Sequence, residues 1–350
     1  MLINKMGKKD TKNKTKQPFV SICTPTFNRR PFFPYIIKCF ENQTYPKNKI
    51  EWIIIDDGTD KIEDIVKDIP QVKYFKFDTK MTLGKKRNIA HEKCSGDIII
   101  YMDDDDYYPP ERISHAVQKL IENPTALCAG SSEMFIYFKH IQKMYKFGPY
   151  GPNHSTAATF AFRKELLKQT SYDENACVAE ERHFLKGYTI PFVQLDSMKS
   201  ILVFSHNHNS FDKKELLLNP NPMVSISEKK VEEFVKEEDI KKFFLDDIDK
   251  LLDDYNPGKP ENKPDVLQQL KEIREKREEM IKIKTRENEN YNSVMSKLTN
   301  NDSQLQLNKM SVIIQELTME NTLLKDKLKY YENKVKQLIK EEIERKMTPK

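Results

Sequence analysis

Cysteine is scarce in this 350-residue chain, and none of the five cysteines is spaced as metal or redox cysteines usually are. They are Cys23, Cys39, Cys94, Cys128 and Cys177. Their number is odd and no two of them form a CxxC pair, so nothing in the sequence indicates a zinc site or a disulfide framework. We expect ordinary reduced thiols.

Long apolar runs are also missing. No stretch of about 18 apolar residues occurs, and the first residues lack the apolar segment of a secretion signal. We therefore expect no membrane span and a cytoplasmic location. Strong charge of one sign is absent as well, because 59 basic residues face 54 acidic ones, for a net charge of +5. Such a balance gives no reason to predict a nucleic-acid partner.

Hydrophobic residues are concentrated in the first 225 positions, and this uneven distribution predicts the domain organisation. Residues 1–17 carry six lysines and almost no apolar side chains, so we expect a disordered basic tail. A globular domain is predicted for residues 18–225 and a helical linker or stalk for 226–300. Residues 301–347 are predicted to form a coiled coil.

The globular part alternates apolar strands with amphipathic helices. Apolar runs at 19–23, 50–55, 72–77 and 98–102 predict strands, and helical spacing separates them, for example at 85–93. Unbroken apolar strands of this kind are typical of a parallel sheet covered on both faces. The predicted fold class is therefore α/β, of the doubly wound, Rossmann-like type.

Polar clusters follow three of these strands, at residues 26–29, 56–58 and 103–106. Sheets of this type bind ligands at the carboxyl ends of their strands. The third cluster consists of four consecutive aspartates, which repel one another unless a cation neutralises them. Oxygen ligands favour Mg²⁺ or Mn²⁺, so we predict that one of these ions is the cofactor.

These motifs together resemble family 2 glycosyltransferases of the GT-A fold, including members from large DNA viruses and bacteria. The resemblance covers about residues 18–210, and a viral member would work in the host cytoplasm or the virion. It rests on four motifs in order: Pro25-Thr26-Phe27-Asn28-Arg29, Asp56-Asp57-Gly58, Gly84-Lys85-Lys86-Arg87-Asn88, and Gly96-Asp97 leading into Asp103-Asp104-Asp105-Asp106.

The resemblance implies a nucleotide-sugar donor, usually UDP-linked, a divalent metal and inversion at the anomeric carbon. Asp57 matches the residue that binds the donor base, and Asp104 matches the residue that contacts the ribose. Asp105 matches the principal metal ligand, with Asp103 as a helper. The remaining residues predicted to bind the donor are Pro25, Phe27, Asn28, Lys86 and Arg87.

An inverting transfer needs a general base for the acceptor hydroxyl. The family takes this base from an acidic pair before an apolar residue, and Glu180-Glu181 is the best match here. Glu181 stands in the base position, where the family commonly has aspartate, so Glu180 remains an alternative. His206 matches a histidine that approaches the metal or the diphosphate in some members.

The C-terminal region shows a heptad pattern. Apolar residues recur at steps of three and four between Leu307 and Leu338, and Asn321 is the one polar residue at an a position. A buried asparagine there favours a parallel two-stranded coiled coil. The flanking pairs Glu320/Lys325 and Lys327/Glu332 would attract across such a dimer. We predict a homodimer through residues 307–338, with a trimer as the alternative.

The sequence thus predicts an inverting glycosyltransferase that acts on a glycan or protein acceptor. Two other functions remain open. Nucleotidyl transfer would need a glycine-rich basic loop after the first strand, where the chain instead has Pro25-Thr26-Phe27-Asn28. The other is a coiled-coil assembly protein whose transferase domain is inactive.

Overall fold

A computed structural model describes residues 17–178, 180–218, 221–299 and 303–347. The predicted basic tail, apart from residue 17, lies outside these residues. Two compact units are present, residues 1–273 and 274–350. No helix in the described part of the chain has both the length and the apolarity to cross a membrane.

The first unit contains two mixed sheets. Its strands are β1 Val20–Thr26, β2 Ile50–Asp56, β3 Val72–Lys76, β4 Ile98–Tyr101, β5 Cys128–Gly130, β6 Met134–Phe138, β7 Lys143–Phe147, β8 Ala161–Arg163, β9 Phe192–Gln194, β10 Leu202–Ser205 and β11 Val224–Ile226. The larger sheet has the order β3-β2-β1-β4-β8-β5-β9, and the smaller one β10-β6-β7-β11.

The helices of the first unit lie between the strands and after the last one. They are α1 Phe33–Glu41, α2 Glu63–Val66, α3 Leu83–Lys93, α4 Arg112–Glu122, α5 Glu181–Phe184, α6 Val231–Phe234, α7 Glu238–Lys242 and α8 Ile248–Asp253. A π-helical turn, Phe243–Asp247, joins the last two. Helix α9, Pro264–Thr299, begins in this unit and ends in the second, which also contains α10, Ser303–Met347.

The predicted parallel half of the sheet is confirmed. Strand β1 pairs in parallel with β2 on one side and with β4 on the other, and β2 pairs in parallel with β3. Successive side chains enter two different cores, since Ile54 packs on one face and Ile53 and Ile55 on the other. Because both faces are covered, these strands carry unbroken apolar runs.

Trp52 connects the central strands. It is fully buried, stacks on Phe40 and donates from Nε1 to Thr24 Oγ1 at 2.8 Å. Thr24 in turn donates to the backbone oxygen of Met102 at 2.6 Å. This chain of contacts fixes the start of the aspartate loop relative to β1 and β2.

Residues 226–273 differ from the predicted linker. The compact unit extends to Ile273, beyond the boundary predicted at residue 225. Phe234, Phe243 and Phe244 are buried in the same core as Trp52. These aromatic residues are interspersed with Lys, Glu and Asp, so the composition of the segment is polar. Its apolar side chains nevertheless complete the hydrophobic core of the domain.

Candidate active site

The three polar turns predicted from the sequence lie side by side. They follow β2, β1 and β4, which are adjacent and parallel, and Thr26 pairs in register with Asp56. The strand order runs from β1 through β2 to β3 on one side of β1 and continues with β4 on its other side, which makes this edge a topological switch point. The fold therefore brings the three clusters to one edge.

A cavity of about 160 Å³ opens at this edge. It is lined by seven of the predicted site residues: Pro25, Phe27, Lys86, Arg87, Asp103, Asp104 and Asp105. Asn28, Asp57, Glu180, Glu181 and His206 do not line it. The volume is below the roughly 300–1,000 Å³ of most small-molecule pockets. Lys263, Asp265 and Val266, none of them predicted, form part of its wall.

Asp57 lies beneath the cavity wall, and its side chain has no exposed surface. One carboxylate oxygen accepts from Lys86 Nζ at 2.8 Å, and the other accepts from the backbone N–H of Met81 at 2.5 Å. Lys86, on α3, is thereby held against Phe27, with Nζ 5.8 Å from the ring centroid. These contacts position the Lys86 ammonium at the cavity.

Asn28 holds the turns together rather than facing the cavity. Its φ of 53° lies in the left-handed region, which asparagine tolerates better than most residues. Its Oδ1 accepts from the backbone N–H groups of Thr59 and Asp60 at 2.7 and 2.9 Å. A Cβ at Gly58 would lie 2.6 Å from the Asn28 backbone nitrogen, so this close packing requires glycine.

Asp104 and Asp105 share a buried cation, Arg29. The guanidinium lies 3.8 Å from an Asp104 oxygen and 3.6 Å from an Asp105 oxygen. Burial and the neighbouring Asp105 charge raise the pKa of Asp104 to about 6. Burial opposes ionisation of Asp105 too, but the hydrogen bond from His206 and the Arg29 charge outweigh it, so its pKa lies well below the usual range. Asp105 therefore stays ionised at lower pH than Asp104 does.

Asp103 and Asp106 take other positions in the cluster. Asp103, predicted to help bind the metal, lies 3.5 Å from Arg87 Nη1. Asp106 is buried, and one of its carboxylate oxygens has no hydrogen-bond partner in the described part of the chain. Burial and the Asp105 charge raise its pKa well above the usual range. Its surroundings therefore favour the protonated form of Asp106.

His206, predicted to approach the metal or the diphosphate, lies beside Asp105. Its Nε2 is 3.5 Å from Asp105 Oδ2, and its ring packs on Phe32 with 4.9 Å between centroids. Burial lowers the pKa of His206 to about 4, against the opposing effect of Asp105. The imidazole is therefore neutral at pH 7, the form that binds metals.

These residues fit a divalent ion bound partly by the protein. No group of three or more His, Cys, Asp or Glu side chains converges on a metal position within residues 17–178, 180–218 and the other described ranges. Asp105 and His206 offer one carboxylate and one imidazole. Mg²⁺ and Mn²⁺ sites that serve phosphate substrates commonly use one or two protein ligands, with phosphate and water completing the shell. The donor set is compatible with such a site.

The two carboxylates of the acidic pair have different surroundings. Glu180 is buried and accepts from Arg87 Nε at 3.0 Å. Glu181 opens helix α5 and is only partly buried. Burial, with the neighbouring Glu180 charge, raises the pKa of Glu181 to about 7. A carboxylate with this pKa can accept a proton near neutral pH.

Arg87 connects this acidic pair to the aspartate loop. Its guanidinium contacts Glu180 and Asp103 and lies 4.2 Å from the Tyr101 ring centroid. Both carboxylates keep the pKa of Arg87 well above its usual range despite complete burial. One fully charged arginine on α3 therefore holds the loop before Glu181 against the cavity.

Three residues that line the cavity were not predicted as site residues: Arg29, Ser210 and Lys263. Arg29 stands in the first motif, so its position was visible although its partners were not. Lys263 lies in a segment predicted to be a linker, and no local pattern marks it. Ser210 Oγ accepts from Lys263 Nζ at 2.8 Å, a contact that only the tertiary structure reveals.

Comparisons with known proteins show similarity to glycosyltransferases. The family model "Glycosyl transferase family 2" matches residues 21–177. An uncharacterized glycosyltransferase of Haemophilus influenzae is 32% identical over 211 residues, which cover 55% of this chain and 78% of that protein.

Two further similarities are shorter or weaker. Poly(ribitol-phosphate) beta-N-acetylglucosaminyltransferase TarS of Staphylococcus aureus is 27% identical over 116 residues, 29% of this chain and 19% of that protein. The crystal structure of S. aureus TarS 1–349 superposes with a TM-score of 0.41 at 20% identity, over 53% of this chain and 60% of that one. From the extent of the Haemophilus match, the chain belongs to glycosyltransferase family 2.

Proposed function

We propose that this chain is an inverting, metal-dependent glycosyltransferase that moves a sugar from a UDP-linked donor to an acceptor hydroxyl. The observation that carries the proposal is the Arg87 bridge. It joins the aspartate loop at the cavity to the acidic pair containing Glu181, whose pKa of about 7 suits a base. Donor groups and base thus belong to one connected site.

In the proposed reaction, Glu181 accepts the proton of the acceptor hydroxyl as that oxygen bonds to the anomeric carbon. The bond from this carbon to the diphosphate oxygen breaks on the opposite face, and the nucleoside diphosphate leaves. A divalent ion, bound through Asp105 and His206, would supply positive charge to the diphosphate. Glu180 keeps Arg87 in place and is a positioning residue.

The preference for uracil rests on Asp57, which the family resemblance assigns to the donor base. Its carboxylate already accepts from Lys86 and from Met81, and a carboxylate has acceptor capacity for further bonds. A base bound beside it would contact a charge held in place by these two donors.

The test is a nucleotide-release assay on the purified full chain with UDP-, GDP- and dTDP-sugars, with Mn²⁺ or with a chelator. UDP-N-acetylglucosamine belongs in the panel because the relative TarS is an N-acetylglucosaminyltransferase by name. Mn²⁺-dependent release from a UDP-sugar supports the proposal. No release and no donor binding by calorimetry would contradict it.

The alternative of a coiled-coil assembly protein with an inactive domain is not favoured. An inactive domain has no need to keep Asp104, Asp105 and Asp106 buried side by side, because their repulsion costs stability. Dimerisation by the C-terminal helix is compatible with activity and forms a separate proposal.

We propose that α10 pairs in parallel with a second copy. Along the described part of the seam, Ile314, Leu317, Leu324 and Leu328 are 56–61% exposed in the single chain. An apolar stripe of this length is expected to be covered, and Asn321 favours two strands. The side chain of Leu307, at the start of the predicted seam, lies outside the described residues.

Leu324→Glu is expected to convert the full-length dimer into a monomer, because it places a charge at a d position of both strands. Light scattering after size exclusion measures the mass. Met319→Glu is the matched control, since Met319 is an apolar residue outside the seam and is 78% exposed. A wild-type monomer, or a dimer that persists in Leu324→Glu, would contradict the coiled coil.

A further inference from the structure

Residues 255–269, here called the closing segment, follow the globular domain predicted at 18–225 and pack against the site. One end contacts the first polar turn, residues 26–29. Asn28 Nδ2 donates to the backbone oxygen of Pro257 at 2.9 Å, and Arg29 Nη1 donates to that of Gly258 at 3.2 Å. These bonds use the side chains of the first motif, so the segment is fastened to residues of the site rather than to the outer surface.

The other end of the closing segment contacts the loop that leads to Glu180. Gln269 Oε1 accepts from the backbone N–H groups of Cys177 and Val178 at 2.7 and 3.1 Å. Between the two ends, Asp265 forms an ion pair with Lys80. The segment therefore spans the cavity from the donor turns to the loop before the acidic pair.

Lys263 lies at the middle of the closing segment and lines the cavity. It is 7% exposed, and its Nζ donates to Ser210 Oγ and lies 5.9 Å from the Phe27 centroid. No carboxylate within ion-pair distance of Lys263 is found in the described residues. A buried ammonium without an anionic partner is costly. Burial and the nearby Arg29 charge lower its pKa well below the usual range, against the opposing charges of Asp104 and Asp105.

Positive charge accumulates around one aromatic ring of the cavity. The ammonium groups of Lys80, Lys86 and Lys263 lie 5.4, 5.8 and 5.9 Å from the Phe27 centroid. Lys80 pairs with Asp265 and Lys86 with Asp57, which leaves Lys263 as the member of this trio without a carboxylate. An anion entering the cavity would complete its interactions.

We propose that Lys263, which the closing segment places in the cavity wall, binds the diphosphate of the nucleotide-sugar donor. The inference rests on the proposed function and adds a phosphate-binding residue from outside the region that resembles the family.

The experiment compares binding of UDP and of uridine, with Mn²⁺ present, in the full chain. Lys263→Met is expected to weaken UDP binding roughly 10- to 100-fold by calorimetry, the loss of one charge-assisted hydrogen bond to a phosphate. Uridine binding, followed by ligand-observed NMR, is expected to be unchanged because uridine has no phosphate. Lys263→Arg is expected to recover most of the UDP affinity.

Lys250→Met, an exposed lysine of α8, is the matched control and is expected to bind UDP as the wild type does. Equal UDP affinity in Lys263→Met and wild type overturns the inference, and so does a parallel loss of uridine binding. If wild type binds no UDP, the proposed function fails instead.

A second measurement covers the case in which Lys263→Met does not fold. In the wild-type protein, UDP is expected to slow amide hydrogen exchange in residues 256–269, and uridine is expected to do so much less. Exchange in this segment that UDP leaves unchanged, although UDP binds, overturns the inference.

Discussion

Glu181→Gln is expected to lower kcat roughly 10²- to 10⁴-fold, the range usual for loss of a general base, while UDP still binds with wild-type affinity. Glutamine keeps the shape of glutamate but cannot accept the acceptor proton. Transfer rate and UDP affinity are measured separately, by product formation and by calorimetry. Glu165→Gln, an exposed glutamate outside the site, is the matched control.

The pH dependence gives an independent check on the same residue. The base must be ionised, and the pKa of Glu181 is raised to about 7 by burial and by the Glu180 charge. Activity is therefore expected to fall as pH decreases through 7 and to level off above it. A rate that stays constant down to pH 5, or a fully active Glu181→Gln, would assign the base to another residue.

Asp105→Asn is expected to reduce transfer roughly 10²- to 10⁴-fold, because a metal contributes several kcal/mol of charge stabilisation and each 1.4 kcal/mol is a factor of ten. The amide oxygen is a weaker ligand than the carboxylate. Mn²⁺ binding in the presence of UDP, followed by electron paramagnetic resonance, is expected to weaken in parallel.

The control for this variant is Asp68→Asn, an exposed aspartate after α2. Thermal unfolding reports whether loss of the Arg29 contact at 3.6 Å also destabilises the fold. Full chelator-sensitive transfer in Asp105→Asn would mean that another carboxylate of the loop, such as Asp104 or Asp106, binds the metal.

The central strands were predictable because their pattern is local. Buried parallel strands must be apolar on both faces, and the runs at 50–55 and 98–102 correspond to β2 and β4. The short antiparallel strand β8, Ala161–Arg163, was not predicted. It has three residues, too few for a periodic signal, and its pairing with β4 depends on contacts about sixty residues apart.

The roles of the two glutamates in the acidic pair depend on tertiary contacts. Two adjacent glutamates, Glu180 and Glu181, have the same chemistry, and the sequence could not separate their roles. Arg87, more than ninety residues earlier, binds the first of them, while the second begins α5 and has a raised pKa. Contact with one distant arginine distinguishes them.

The sequence by itself determined the parallel strands β1 to β4 and the three polar turns, because each depends on periodicity or composition within a few residues. Tertiary structure decided which charges are paired, which carboxylate has a raised pKa, and that Lys263 reaches the cavity. Charge and pKa depend on burial and on neighbours through space. The neighbours of Lys263 lie more than fifty residues away, at Ser210, Phe27 and Arg29, and only folding brings them together.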